Sequence, residues 1–312
     1  MKKIIYGIAG TCILLFACNG IVPLRPLPLP TSTPLPATET ATHLPTLAAP
    51  ATFTASPTPT AAWIHQGPYE VIVPILLYHR IDVSPNNSRY YVSPDKFEEE
   101  MKLLHNWGYT TITLDMLTQA INQGADLPPR PMLITFDDGH LNNYTTAFPI
   151  MQKYGFTGIL YIVGRYMGAD QFMNADQIKE MAGAGWEVGS HSMRHLDLAA
   201  LDLSEQKYEI FKSREFLEEK LGLPIQSFAY PFGSSNFDIL ELTRAAGYTT
   251  GMSLGYTYDQ GIGNLLSLQR RDVKGTYDLK QFGLFLPWLG DPIFLPTDTP
   301  TPTLTPSRTP KP

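Results

Sequence analysis

Pro131-Met132-Leu133-Ile134-Thr135-Phe136-Asp137-Asp138-Gly139 is the stretch that decides the fold. An apolar run, broken by a single threonine, ends in two adjacent carboxylates and a glycine. A short apolar run bounded by turn residues predicts a buried strand. Successive strand side chains point to opposite sides, so at the strand end Asp137 and Asp138 can take separate tasks. Farther along comes His191-Ser192-Met193-Arg194-His195. Two imidazoles at this spacing share a face if the segment is helical. Two His and one carboxylate make a three-ligand set for a divalent ion, with positions left for water and substrate. The spare carboxylate is then a candidate base for that water. Asp-Asp-Gly alone also suits a surface turn, and an isolated His-x-x-x-His is a weak signal. The two together carry more than either.

In this order, the strand, Thr135-Phe136-Asp137-Asp138-Gly139 and the His191/His195 string resemble the first two motifs of the polysaccharide deacetylase family, the NodB-homology domain of carbohydrate esterase family 4. The resemblance covers about Ile72 to Val273 and implies that family's distorted (β/α)7 barrel. It also implies Asp137 as general base and Asp138, His191 and His195 as metal ligands. Phe228-Ala229-Tyr230-Pro231-Phe232-Gly233 looks like the family's Arg-x-Pro-Tyr-Gly segment, which walls the groove and gives a backbone N–H to the oxyanion. Tyr230, Pro231 and Phe232 are carried over to that role. Phe232 stands in the Tyr place, and Ala229 where an Arg, which orients the base, would be. Arg270 is the candidate to fill that vacancy; Arg270 and Arg271 read equally as surface charges at a strand edge.

The general acid follows from elimination. None of the seven His lies after His195. His43 and His65 sit in or beside a low-complexity stretch, His105 in a helical run, and His140 directly after the Asp-Asp-Gly turn, where it would line the groove. That leaves His79, at the end of the apolar segment Val73 to Tyr78, where α/β barrels place catalytic groups. The segment resembles the Pro-x-Leu-x-Tyr-His of a subgroup whose acid motif lies on the N-terminal side. Poly-N-acetylglucosamine deacetylases of biofilm systems belong to that subgroup. A satisfied core histidine is the other reading of His79.

The N-terminus reads as targeting sequence. Lys2-Lys3, the apolar run Ile4 to Phe16 and Leu15-Phe16-Ala17-Cys18 resemble a lipoprotein signal cleaved before Cys18. The run is short for a membrane span. Lipidation at Cys18 would tether a soluble domain to the membrane, outside the cytoplasm. Cys12 and Cys18 are the only cysteines, so the mature domain is expected to have no disulfide and to rest on its core. Residues 22–62 hold 10 Pro and 10 Thr with only Arg25 and Glu39 charged, a composition that predicts an extended spacer. The division expected is a signal peptide over 1–17, a Pro/Thr-rich linker over 18–66, a deacetylase domain over 67–293 and a Pro/Thr-rich tail over 294–312. The net charge of −6 argues against a nucleic-acid partner. No pattern defines an oligomeric state.

Between Tyr69 and Pro292, strand-like runs alternate with helical ones, an α/β pattern that implies a parallel sheet with helices outside. Expected strands are Val71 to Tyr78, Tyr109 to Leu114, the strand ending at Asp137, Thr157 to Val163, Trp186 to Gly189, Gln226 to Tyr230 and Tyr248 to Ser253. Ser93-Pro94-Asp95 opens a helix, and Leu203-Ser204 caps a long one to Leu221. Tyr78, Tyr230, Phe232 and Trp186 are candidates for a sugar-stacking wall. The function these readings favour is metal-dependent removal of N-acetyl groups from an extracellular N-acetylglucosamine polysaccharide. The donor set suits zinc, with cobalt, nickel or iron also accepted. An O-acetyl glycan (xylan) esterase and a non-catalytic glycan-binding lipoprotein remain the alternatives.

Overall fold

The computed structural model describes residues 62–290. The expectations for the signal peptide, Cys12, Cys18, residues 18–61 of the linker and the tail from 294 lie outside them. Seven parallel strands form the core: β1 (Ile75–Tyr78), β2 (Pro131–Phe136), β3 (Ile159–Ile162), β4 (Glu187–Ser190), β5 (Ser227–Ala229), β6 (Thr250–Leu254) and β7 (Leu268–Asp272). Each pairs with its neighbour in chain order. β1 pairs with β2 on one side and β7 on the other, which closes the sheet into a (β/α)7 barrel. The two-residue strand Thr110–Thr111 adds to the start of β2 outside the ring. The closure is irregular: β4 and β5 share the single pair Ser190↔Phe228.

Every residue of β1, β2 and β3 is buried, which is why those strands read as continuous apolar runs rather than alternating ones. The alternation lies in what they touch. Ile75, Leu133, Ile159, Tyr161, Ala229 and Leu268 pack inside the barrel. Leu76, Ile134, Phe136, Leu160 and Phe228 pack outward against the helices. Inside, Tyr161 spans the space left by Gly189, where a Cβ would meet the Tyr161 ring at 2.4 Å. Its hydroxyl bonds Ser227 Oγ at 2.7 Å. Outside, α1 (Pro94–Asn106) lays Phe97, Met101 and Leu104 on the barrel. Burial of a side chain such as Phe97 contributes about 1.5–3 kcal/mol.

Several boundaries differ from expectation. Val71 to Tyr78 is two strands, Glu70–Ile72 and Ile75–Tyr78, because Pro74 has no N–H to continue the ladder. Tyr109 to Leu114 shortens to Thr110–Thr111 as Leu114 joins the helix Leu114–Gln123, capped by Thr113. The helix ending at Leu221 is capped by Asp202, whose side chain accepts from Glu205 N, and not by Ser204. It contains a π-helical turn, Tyr208–Lys212, before α2 (Ser213–Leu221). Ile64–Gln66 forms a strand against Ala125–Leu127. Among the described residues no helix is long and apolar enough to cross a membrane.

Candidate active site

The C-terminal ends of the barrel strands surround a groove of about 730 Å³. Asp137 follows β2 and prolongs it by one bond, its N–H donating to Tyr78 O at 3.0 Å. Strand alternation would then carry Asp138 away from the barrel axis. The backbone intervenes: Asp138 and Gly139 have φ of 73° and 82°. Left-handed backbone at a non-glycine residue costs on the order of 1–3 kcal/mol, and here it brings the second carboxylate into the groove beside the first. The two therefore share one cavity.

Arg270 stands on the inward face of β7, two residues below Asp272, which pairs with Leu77. Its guanidinium grips Asp137 with both arms, Nη1 to Oδ1 at 2.6 Å and Nη2 to Oδ2 at 2.8 Å. Nη1 also reaches Thr135 Oγ1 at 3.2 Å. Arg270 and Asp137 are buried, so the reading of Arg270 as an exposed edge charge does not hold. Burial opposes ionisation of Asp137, but Arg270 and, less closely, His191 outweigh it and hold the carboxyl below its usual range. Ala229, where the motif Arg was expected, is itself buried and serves through its carbonyl.

That carbonyl accepts from His191 Nδ1 at 2.8 Å. A carbonyl oxygen only accepts, so the ring hydrogen sits on Nδ1 and Nε2 presents its lone pair. Burial also disfavours the charged form of His191. His195 arrives without a helix. Residues 191–195 are not helical; Ser192 and His195 have φ of 65° and 60°. Ser192 Oγ accepts the His195 N–H at 2.9 Å, and this turn brings the two rings to 4.8 Å. The ligand atoms of Asp138, His191 and His195 lie within 4.8 Å of one another. Asp138 Oδ1 stands 3.7 Å from His191 Nε2 and 3.3 Å from His195 Nε2, and it is buried without a hydrogen-bond partner. The other oxygen takes His140 Nε2 at 3.1 Å. Burial lowers the His140 pKa against the pull of Asp138, which favours a neutral ring donating an N–H to the carboxylate. Burial pushes the Asp138 pKa up; the His140 bond and the facing His191 outweigh it, holding the group well below the carboxylate range.

His79 follows β1 and lines the same groove. Its ring lies 4.8 Å from that of Tyr90, and its Nδ1 is buried without a protein partner. Pro231 is buried, whereas Phe232 projects into solvent at 62% exposure, with its ring 4.8 Å from His195. Of the rest of the expected sugar wall, Tyr230 borders the groove and Tyr78 and Trp186 do not. Tyr230 is buried with its hydroxyl on Leu266 O at 2.8 Å. Tyr78 points outward to Glu100, 2.9 Å away, and Trp186 packs on Phe136 in the helix-side core. Phe232, Tyr90, Tyr166 and Phe172 line the groove. Tyr90 and Phe172 lie in loops and Tyr166 in a short 3₁₀ turn, none with a local signal of a site in the sequence.

Known proteins align with this arrangement. A polysaccharide deacetylase profile matches residues 124–251. The chain is 32% identical over 231 residues, 73% of its length, to YxkH of Bacillus subtilis (strain 168), which carries the name of a polysaccharide deacetylase; 80% of that protein is covered. It is 29% identical to a poly-beta-1,6-N-acetyl-D-glucosamine N-deacetylase of Staphylococcus aureus (strain MRSA252), over 53% of its own length and 61% of that protein. In structure it resembles the Streptococcus pyogenes deacetylase PplD, described in complex with acetate, with a TM-score of 0.65 at 25% identity over 70% of this chain and 99% of that one. The fold, the groove at the strand ends and the extent of YxkH covered agree: the chain belongs to the polysaccharide deacetylase family and is a hydrolase.

Proposed function

We propose that the chain removes N-acetyl groups from an N-acetylglucosamine-containing polysaccharide outside the cytoplasm, releasing acetate and leaving free amino sugars. The observation that carries this is the buried Asp137, clamped by Arg270 and set beside Asp138, His191 and His195 in an open groove. The similarity to a deacetylase of poly-β-1,6-N-acetylglucosamine supports this substrate class.

The three side chains fit a divalent ion: their ligand atoms cluster, Asp138 Oδ1 is buried and unpartnered, and the Nδ1 bond of His191 to Ala229 O leaves Nε2 facing Asp138, with burial favouring the neutral ring. Asp138, His191 and His195 would hold it. When present, such an ion supplies Lewis acidity to the acetyl carbonyl and lowers the pKa of water in the site. Asp137 takes the proton of the attacking water, and Arg270 keeps its two oxygens oriented for that transfer. A backbone N–H near Phe232 faces the oxyanion as negative charge develops. His79 then gives a proton to the departing nitrogen as the C–N bond breaks. Phe232, exposed at the rim, offers a sugar ring an apolar face.

Lipidation of Cys18, on the motif at Leu15 to Cys18, would tether this activity at the membrane. Incorporation of labelled fatty acid, lost in Cys18→Ala, tests that part. Acetate release from a panel of poly-β-1,6-N-acetylglucosamine, peptidoglycan, chitin oligomers and acetylxylan tests the rest. Release from an amino-sugar polymer supports the proposal; release from acetylxylan alone assigns an esterase, and release from none removes the catalytic reading.

A further inference from the structure

Glu209 lies in the π-helical turn Tyr208–Lys212, far along the chain from the two His it serves, and is fully buried. Its Oε2 accepts the backbone N–H groups of Met193 at 3.0 Å and Arg194 at 2.7 Å. Its Oε1 accepts Arg194 Nε at 2.5 Å. Met193 and Arg194 are the residues between Ser192 and His195. The remaining bonds of the loop's backbone run to the end of β3 or stay inside the loop: His191 N–H to Ile162 O, Gly164 N–H to Ser192 O, Arg165 N–H to Met193 O, and His195 N–H to Ser192 Oγ.

We propose that Glu209 is a positioning residue for the metal ligands: through the Met193 and Arg194 amides it sets the placement of His195 relative to His191, and so the affinity for a divalent cation. The inference rests on the metal-site reading above. Its physical ground is the shape of the loop. Ser192 and His195 both have left-handed backbone, and such strain persists only where the surroundings over-determine it. The strained turn aims two adjacent N–H groups at one spot. Without an acceptor there, both would be left unsatisfied in a partly buried place. A single carboxylate oxygen takes both. The other oxygen binds Arg194, which is itself braced, its Nη2 3.5 Å from Glu205 and its guanidinium 5.1 Å from the centre of the Tyr208 ring. π-Helical turns recur at functional sites, and here one presents the acid. Groups behind metal ligands govern ligand orientation, and their loss typically lowers metal affinity about 10–100-fold.

The test is a Co²⁺ titration of the purified full chain, read by visible absorption, on wild type, Asp138→Ala, Glu209→Gln and Glu209→Asp, with apo-protein melting recorded for each. In Glu209→Gln one of the two acceptor oxygens becomes an N–H donor, which must face either the Met193 and Arg194 amides or Arg194 Nε, so Co²⁺ affinity should fall about 10–100-fold and the absorption band should change. Glu209→Asp keeps the acceptors at shorter reach and should fall between the two; it decides the matter if Glu209→Gln does not fold. A purely structural Glu209 would lower the melting temperature and leave Co²⁺ affinity and spectrum at wild-type values, which would overturn the proposal. No Co²⁺ binding by wild type would instead remove the metal-site reading on which it stands.

Discussion

Arg270 binds Asp137 through two parallel N–H···O contacts of 2.6 and 2.8 Å, across the barrel interior and with both side chains buried. The two are far apart in sequence and meet because β1 pairs with both β2 and β7.

Removing Arg270 leaves a buried carboxylate without its counter-charge, a change that costs about 3–5 kcal/mol in comparable pairs. Arg270→Gln should melt well below wild type at neutral pH. The pH dependence has a definite sign. The native pKa of Asp137 is held below its unfolded value of about 3.9. The stabilisation is therefore present above about pH 4 and is lost as pH falls through the native value. The gap between wild type and variant should narrow on acidification, as followed by melting temperature against pH. In kcat/KM the acid limb of the variant should move to higher pH; an unmoved limb would separate Arg270 from the base.

Asp138 Oδ1 is the buried oxygen without a protein partner between His191 and His195. Asp138→Ala should abolish binding of zinc and cobalt in a direct titration. Chelator treatment should silence wild type, and added metal should restore it. Activity that survives thorough chelation would contradict the ligand assignment.

His79 should behave as an acid and not as a packing residue. A general acid contributes roughly 10²–10⁴-fold, so His79→Gln should lose rate on that scale in kcat with KM little changed. A loss confined to KM would return His79 to substrate binding.

How much was legible in the sequence follows from which features are local. The strand Pro131–Phe136 and the acids after it were readable because burial on both faces leaves an unbroken apolar run. The helix at Pro94 was readable from its Ser-Pro-Asp start. His191 and His195 were identified as a pair, with a shared face conditional on a helix; the left-handed φ at Ser192 and His195 that joins them instead is only weakly signalled by residue type. The aromatic wall was half misassigned for a related reason. Whether Tyr78 or Trp186 faces the groove depends on helix packing and on partners such as Glu100 and Phe136. Arg270 was found only as a substitute for the Arg missing at Ala229, because its partner is set by barrel closure.

Ala229 gives a further prediction. It is fully buried and packs with Met252, Leu268 and Tyr161 inside the barrel. Ala229→Arg would restore the family's residue but place a second cation in space already filled. Overpacking typically costs about 1–3 kcal/mol, and here a buried charge adds to it. The variant should be less stable and no more active than wild type, by melting and by acetate release; a gain in rate would mean that Arg270 does not serve the base.

The most direct test of the central claim is acetate release from poly-β-1,6-N-acetylglucosamine by wild type and Asp137→Asn, with zinc affinity measured on the same samples. The account predicts metal-dependent release by wild type and none above background by Asp137→Asn, while both bind zinc with similar affinity. An Asp137→Asn variant that keeps its rate would contradict the assignment of Asp137 as the base.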